Sequence, residues 1–336
     1  MVHVLRRMHL TGWIELEGKK LSPEELEQVL ERDPSLVSRF NGEFYLEYGT
    51  CSARDQYGII PGPCPAGSIM CDGKAVGTVH PPCQNLPLAD AIRSAIEIRS
   101  DTGITALSGG VDSALVAAVA QRPCLVVGME GCHDIRQANE VATILDLSLH
   151  VRTVTPQDVA DALPVVISLI HDPNPVDVAI GTTLYFVAET AQDLGYERIL
   201  TGQGADEVFG GYARYLETPP HLLDVVFARD FDSLSRQGKR DQGIARSMGA
   251  YLSMPYLDIR VVCAAQAIPP TERVQGGVRK KPLREVASLY MPESYAYYEK
   301  KAMQYGTGIW KEIKRIARQN GYHSSVSDFI THIRRT

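Results

Sequence analysis

Two glycine-containing segments carry residue types that bind phosphate and a divalent cation. The first lies between an apolar run, Ile104–Leu107, and a helical pattern, Ala114–Gln121, and it reads Ser108, Gly109, Gly110, Val111, Asp112, Ser113. Its glycines allow a tight turn, and the free N–H groups at the start of a helix attract an anion. The carboxylate of Asp112 would repel phosphate alone, but it suits a Mg²⁺ ion held against that phosphate. The pattern predicts a nucleotide-phosphate site, with an ordinary strand–turn–helix corner as the alternative.

The second segment has the same arrangement. It follows a strand candidate, Arg198–Thr201, and reads Gly202, Gln203, Gly204, Ala205, Asp206. In a parallel sheet both loops open at the carboxyl ends of their strands, where such sheets bind ligands. Asp112 and Asp206 are therefore predicted to hold one Mg²⁺ between them, although Asp206 also suits the cap of a helix.

The elements that must position these loops alternate along the middle of the chain. Helical patterns near residues 113–121, 135–146, 156–170 and 179–194 separate four strand candidates: Ile104–Leu107, Leu125–Gly128, His150–Val154 and Arg198–Thr201. Strands that alternate with helices of this length predict βαβ units and a parallel sheet with right-handed crossovers. Beyond Gly211 the pattern is mostly helical.

Residues 1–85 have a different pattern of predicted secondary structure. Short strand patterns, Trp13–Glu17 and Phe44–Tyr48, flank a helix that begins with a capping box at Ser22. Proline- and glycine-rich turns follow, and His80–Gln84 is typical of a linker. These features predict a small β-rich α+β domain over residues 1–85, followed by a larger α/β domain over residues 86–336.

Composition excludes several classes of protein. A chain of 336 residues that is 44% hydrophobic and 22% charged is ordinary globular protein. It has no stretch of 18 apolar residues, and Met1–Arg7 lacks a signal-peptide core, so a cytoplasmic protein without membrane contact is expected. No Walker P-loop, dinucleotide fingerprint, zincin or hydrolase motif occurs. The net charge is −6, yet residues 279–336 carry 12 Lys and Arg against 5 Asp and Glu, which indicates either an anion-handling segment or a solvated basic helix.

Four of the seven cysteines lie close together in the sequence: Cys51, Cys64, Cys71 and Cys83. A chain of this length needs no disulfides to stabilise its core, so disulfide pairing is not expected. No pair has the spacing of a zinc knuckle. The cluster is compatible with a zinc or iron–sulfur site, or with ordinary buried packing.

The two glycine-containing motifs together resemble those of a known enzyme family. SGGVDS followed by LTGQGADEVFGGY resembles the synthetase domain of the asparagine synthetase family, within the PP-loop ATP pyrophosphatases, and also the β-lactam synthetases, over about residues 86–310. The resemblance implies a five-stranded parallel sheet with helices on both faces, similar to adenine nucleotide α-hydrolases, and a helical C-terminal part. It also implies that the loop from Leu107 to Ser113 and Gly202 bind ATP, and that adenine contacts Val127, Gly128 and Met129. Lys280 and Lys300 fall where the family has phosphate-facing lysines.

The resemblance also implies a reaction with two steps and small-molecule substrates. A substrate carboxylate attacks the α-phosphorus of ATP and releases pyrophosphate; an amine or ammonia then attacks the acyl-adenylate, which forms an amide and releases AMP. Mg²⁺ and the two lysines would stabilise the pyrophosphate, and Lys300 would also stabilise the tetrahedral intermediate.

Three departures from the family pattern limit the prediction. Val2 stands where glutamine-dependent members have a catalytic cysteine, and residues 1–85 are too few for a full glutaminase domain. Residues 1–85 are therefore interpreted as a truncated, inactive glutaminase-like domain, and glutamine is not the expected nitrogen donor. Gln203 replaces a glutamate that helps to deprotonate or position the amine; an amide cannot act as a base, but it can position a substrate.

Two other functions stay open at this point. The basic C-terminal segment and the cysteine cluster are compatible with a PP-loop enzyme that modifies RNA, although a chain with a net charge of −6 is a poor general RNA binder. Gln203 and the truncated first domain are compatible with a nucleotide-binding regulator that has no activity. A homo-oligomer is compatible with the sequence.

Overall fold

The computed structural model describes residues 8–299 and 303–335, and its first element is an antiparallel sheet. The six strands are β1 (Met8–Leu16), β2 (Lys19–Lys20), β3 (Asn41–Tyr48), β4 (Cys51–Arg54), β5 (Ser68–Cys71) and β6 (Lys74–Thr78). They lie in the order β2-β1-β3-β4-β5-β6. Helix α1 (Pro23–Arg32) has the predicted capping box between Ser22 and Glu25, and its apolar side buries Leu26 and Leu30 in the core of this sheet.

The second sheet is parallel and has five strands, which confirms the predicted α/β class. Its strands are β7 (Ile104–Ala106), β8 (Cys124–Met129), β9 (Leu149–Val154), β10 (Arg198–Leu200) and β11 (Tyr251–Ser253), in the order β11-β10-β7-β8-β9. Strand β8 is a continuous apolar run with both faces covered, as is typical of a buried parallel strand.

The strand order places the two glycine-containing loops side by side. From β7 the chain moves outward to β8 and β9, and then returns to the other side of β7 to form β10 and β11. The loops after β7 and β10 therefore leave in opposite directions and open a crevice between them. Such a switch point is where open parallel sheets bind ligands.

Helices make up most of the remainder of the larger part. They are α2 (Leu88–Glu97), α3 (Val111–Ala120), α4 (His133–Ile144), α5 (Pro156–Leu169), α6 (Pro175–Asp193), α7 (Ala205–Phe209), α8 (Arg214–Glu217), α9 (Leu223–Asp232), α10 (Leu234–Ser247), α11 (Ile259–Gln266), α12 (Pro270–Arg273), α13 (Lys281–Ala287), α14 (Glu293–Ala296), α15 (Met303–Gly306), α16 (Ile309–Gln319) and α17 (Val326–Arg335). Short 3-10 turns occur at Pro34–Arg39, Pro220–Leu222, Pro255–Leu257 and Gln275–Gly277. Within the described ranges, no helix is both long and apolar enough to cross a membrane.

A buried ionic cluster joins the two sheets. Arg99, after α2, donates to Glu43 of β3 at 2.8 Å and to Asp258 at 2.8 Å. Arg260 also donates to Asp258, at 2.8 Å, and reaches Glu15 of β1 at 2.8 Å. Burial alone would raise the pKa of Asp258, but the two guanidinium groups outweigh it and hold that pKa well below its usual range. Since every member is paired, the cluster fixes the small sheet on the parallel one.

The cysteines form disulfides in place of the zinc or iron–sulfur site that the sequence left open, and the expectation that disulfide pairing is absent is wrong. Cys51 and Cys71 are register partners on β4 and β5 and form a disulfide, while Cys83 forms a disulfide with Cys263 of α11. Cys64 is buried as a free thiol. Pairing across neighbouring strands and across 180 residues separates the four side chains, and no group of three or more His, Cys, Asp or Glu in the described chain is arranged to hold a metal.

Candidate active site

A cavity of about 700 Å³ opens at the switch point, at the carboxyl ends of β7, β8, β10 and β11. Both glycine-containing loops line it, together with residues of α6, α10 and the segment before α13. The first part of the chain contributes as well, because Tyr57, Gly58 and Ile59, in the loop between β4 and β5, form part of the cavity wall. The cavity therefore lies where the sequence placed the nucleotide site.

The first loop leaves the start of a helix open. Gly109 has a φ of +76°, and a Cβ atom there would lie 2.6 Å from the Cβ of Gln137, so the turn requires glycine. The Ser108 N–H donates to Ser113 Oγ at 3.1 Å, and the two serine hydroxyls lie 2.9 Å apart, which holds the loop closed. Helix α3 begins after Gly110 without a side-chain cap, so its first N–H groups are available to an anion.

The second loop packs directly on the first. A Cβ atom on Gly202 would lie 2.8 Å from the Cβ of Asp112 and 2.9 Å from the Ser113 nitrogen, so this contact also requires glycine. The hydroxyl of Tyr256 donates to the Asp112 carbonyl oxygen at 2.8 Å and so holds the main chain at the start of α3. The close approach of the loops brings Asp112 and Asp206 to one edge of the cavity.

Lys280 lies between the two carboxylates. Its Nζ donates to Asp112 Oδ2 at 2.6 Å and lies 2.7 Å from Asp206 Oδ1. Burial would lower the pKa of Lys280, but the two carboxylates outweigh that effect and raise it. For Asp112, burial and the Asp206 charge raise the pKa, and the lysine opposes them. Lys280 also has a left-handed backbone, with φ of +57°, an uncommon conformation for a residue with a Cβ.

These contacts fit a site for Mg²⁺ and the phosphates of ATP. One ammonium group touches both carboxylates, which shows that a single cation can reach Asp112 and Asp206 together. Asp112 Oδ1 is buried and has no hydrogen-bond partner within the described part of the chain. A buried carboxylate oxygen without a partner is costly and is ready to bind a cation.

The predicted adenine strand is only partly exposed to the cavity. Val127 lines the cavity, whereas Gly128 and Met129 lie outside its wall, as does Gly109 of the first loop. The Met129 N–H donates to the carbonyl oxygen of Thr307 at 2.8 Å, so the end of β8 is covered by the segment before α16. Leu107, Ser108, Gly110, Ser113, Gly202 and Gln203 all line the cavity, while Lys300 lies outside the described residues.

The side of the cavity near α10 holds charged residues that lie outside the two predicted loops. Gln203 Nε2 donates to Asp241 Oδ2 at 2.7 Å, and Arg240 Nε donates to Asp241 Oδ1 at 2.6 Å. Arg240 also donates to Asp177 of α6. One signal was available: Asp241 shares the buried face of α10 with Ile244 and Ala245, three and four positions on, and a charged residue on an apolar face is unusual.

Comparison with known proteins identifies the family. The family model described as asparagine synthase matches residues 87–242 and 239–330, more than half of the chain. The chain belongs to the asparagine synthase family. Within the part that matches the asparagine synthase model lie both loops, Lys280 and Asp241.

Individual relatives agree with the asparagine synthase assignment. A protein described as a glutamine-hydrolysing asparagine synthetase of Methanocaldococcus jannaschii is 32% identical over 270 residues, which cover 68% of this chain and 50% of that protein. Asparagine synthetase B of Escherichia coli, also described as glutamine-hydrolysing, is 27% identical over 261 residues, covering 69% of this chain and 46% of that protein. The chain thus spans about half the length of these relatives.

Among solved structures, NMN synthetase of Francisella tularensis is similar over 75% of this chain and 94% of that one, with 13% identity and a TM-score of 0.37. At that TM-score the similarity adds nothing to the asparagine synthase assignment, which depends on the family model and the sequence relatives.

Proposed function

We propose that the protein is an ATP-dependent ligase that adenylates a substrate carboxylate and transfers ammonia or an amine to it. The observation that carries the proposal is the Asp112–Lys280–Asp206 arrangement, at contacts of 2.6 and 2.7 Å, beside an uncapped helix start at the switch point. Membership of the asparagine synthase family supports the same reaction class.

The proposed first step joins the substrate carboxylate to AMP. A carboxylate oxygen attacks the α-phosphorus, and the bond to the β-phosphate breaks, so pyrophosphate leaves with the electron pair. Mg²⁺ bound by Asp112 and Asp206 would offset negative charge on the phosphates. The N–H groups that begin α3 and the hydroxyls of Ser108 and Ser113 bind the phosphate oxygens. Lys280, which lies beside both carboxylates, would add positive charge near the departing pyrophosphate, and we assign Lys300 to the same charge.

The proposed second step forms the amide. The nitrogen lone pair attacks the acyl carbon, the acyl C–O bond to AMP breaks, and AMP leaves with the electron pair, while the surplus proton on nitrogen passes to water. The nitrogen comes from ammonia or an amine rather than from glutamine. Support for this choice is the state of the free cysteines in the described residues: Cys64 and Cys124 are buried, and burial raises the pKa of Cys124 to about 12 and also raises that of Cys132. A thiol with a raised pKa is a poor nucleophile.

We also propose that the chain divides near residue 85 into a shortened glutaminase-like domain and a synthetase domain. Support comes from the two sheets, whose strands lie on either side of that point, and from the core of the small sheet, whose buried residues all precede it.

The experiment that tests the function is ATP–pyrophosphate exchange with a panel of amino acids and dicarboxylic acids, beginning with L-aspartate. Exchange that depends on one carboxylate, together with AMP formation when ammonium is added, is expected. Asp112→Asn should lower both at least about a hundredfold. If the wild-type protein binds ATP but shows no exchange with any carboxylate of the panel, the proposed function is wrong.

A further inference from the structure

The amide of Gln203 is held by a carboxylate on a different element. Asp241 is only 3% exposed, and its two oxygens have separate partners: Oδ2 accepts from Gln203 Nε2 at 2.7 Å, and Oδ1 accepts from Arg240 Nε at 2.6 Å. Both Gln203 and Asp241 line the cavity. The contact therefore lies in the wall of the reaction site and joins the second glycine-containing loop to α10.

The chemistry of the two groups fixes which way the amide faces. A carboxylate paired with a guanidinium group only accepts hydrogen bonds, so Gln203 must turn its NH₂ group towards Asp241. Its carbonyl oxygen is then the remaining polar atom. That oxygen, Oε1, is buried and has no hydrogen-bond partner within the described residues.

A buried acceptor without a partner is costly unless a ligand supplies a donor. The nitrogen nucleophile is a suitable ligand, because it attacks with its lone pair and has only its N–H bonds for the protein to hold. An acceptor that takes one N–H also limits the direction of the lone pair, and such orientation lowers the barrier of a bimolecular step.

We propose that Asp241 is a positioning residue that locks the Gln203 amide, so that Gln203 Oε1 accepts a hydrogen bond from the attacking ammonia or amine. This inference depends on the proposed ligase function. In this arrangement the Gln203 amide binds and orients the nitrogen nucleophile, and it does not remove a proton from it. Asp241 acts only through Gln203.

The test is the variant Asp241→Asn, because its effect on Gln203 can be worked out. Arg240 Nε still needs an acceptor, so the new amide keeps its oxygen on Arg240 and turns its NH₂ group towards Gln203. Two NH₂ groups cannot share one hydrogen bond, so Gln203 flips and presents a donor to the nucleophile. The expected result is a KM for ammonium that rises about tenfold, comparable to the loss of one hydrogen bond, while ATP–pyrophosphate exchange stays within about twofold of the wild type.

A second variant separates this role from a structural one. In the double variant Gln203→Glu, Asp241→Asn the amide and the carboxylate change places, so a hydrogen bond between the two positions is restored. The KM for ammonium should return towards the wild-type value, and the transfer rate should gain an acid limb from the carboxylate introduced at position 203. The matched control is Asp230→Asn, another buried aspartate paired with an arginine, Arg214, but outside the cavity wall; it should leave both half-reactions unchanged.

The outcomes are distinguishable. Intact exchange and an unchanged KM for ammonium in Asp241→Asn would overturn the inference and leave the ligase function standing. An equal fall in both half-reactions, with a lower melting temperature and no rescue by the double variant, would also overturn it, because it would show a purely structural role for Asp241. Absence of exchange in the wild type with every carboxylate of the panel would overturn both the function and the inference.

Discussion

The variant Lys280→Met tests whether the site between Asp112 and Asp206 is a cation site. Removing the ammonium group leaves two carboxylates facing each other without a counter-ion. Breaking a buried pair costs about 3–5 kcal/mol. The side chain of Lys280 is 9% exposed, but those of Asp112 and Asp206 are 25% and 44% exposed, and solvent screening reduces the cost. We therefore expect a loss of about 2–3 kcal/mol in the free energy of unfolding without Mg²⁺.

Mg²⁺ should return most of that loss. In the wild type the metal must displace the lysine, whereas in the variant both carboxylates are unpaired, so the variant gains more stability from the same Mg²⁺ concentration. A ligand at about 100 times its Kd adds about 2.7 kcal/mol, close to the expected loss. Thermal unfolding of both proteins across a Mg²⁺ titration, without ATP, measures this difference independently of activity.

The pH dependence gives a second measurement on the same variant. Burial and the Asp206 charge raise the pKa of Asp112, and the lysine that opposes them is absent from the variant. A raised native-state pKa makes the native state less stable wherever Asp112 is ionised, so the deficit is full above that pKa and decreases as the pH falls through it. The control is Lys281→Met: its half-buried lysine lies 3.8 Å from the more exposed Glu285, and the pair should contribute less than about 1 kcal/mol. A Mg²⁺ response equal in the wild type and Lys280→Met would refute a shared cation site.

Three further predictions concern the site and the fold. Asp112→Asn should lower the rate of ATP–pyrophosphate exchange at least about a hundredfold, because the cation that would stabilise negative charge in the transition state loses a carboxylate ligand. An exchange assay measures the rate, and a rate near that of the wild type would show that Asp112 is not part of the site. Gly202→Ala should destabilise the protein by about 1–3 kcal/mol and weaken ATP binding, since the added methyl group lies 2.8 Å from the Asp112 Cβ; calorimetric titration with ATP checks this, and unchanged affinity would contradict the close loop contact. Cys263→Ser should cost about 2–4 kcal/mol under oxidising conditions, since it opens a disulfide that spans 180 residues, and nothing under reducing conditions; denaturant unfolding with and without reductant compares the two.

The sequence was sufficient where the structure depends on local patterns. The two glycine-containing loops are found because a tight turn and a helix start require particular residues at adjacent positions, and Gly109 and Gly202 are required in the structure for that reason. The parallel sheet follows from the alternation of strands and helices. Strand β11, Tyr251–Ser253, was not predicted. It has three residues, as β7 and β10 do, but it lies in a region that otherwise reads as helical, without the alternation of strands and helices that marks the other two.

Contacts between distant parts of the chain could not be predicted in the same way. Cys83 meets Cys263, and Gln203 meets Asp241, only because the fold brings separate helices and loops together. Helix α6 illustrates a smaller error: it begins at Pro175, capped by Asn174, rather than near residue 179, because the cap and the proline set the start before the apolar pattern begins. Contacts between distant residues, unlike helices and strands, have no fixed sequence spacing from which they can be predicted.

The small sheet supports the wall of the cavity through one buried carboxylate. Glu43 on β3 accepts hydrogen bonds from Ser253 Oγ at 2.7 Å and from the Met254 N–H at 2.9 Å, at the end of β11 where Met254 enters the cavity wall. The same carboxylate neutralises the fully buried Arg99. Without the small sheet, Arg99 would lose one of its two carboxylate partners, and the wall formed by residues 57–59 would be missing. A buried charge left unpaired costs several kcal/mol, so the small sheet is a structural component of the cavity on the parallel sheet.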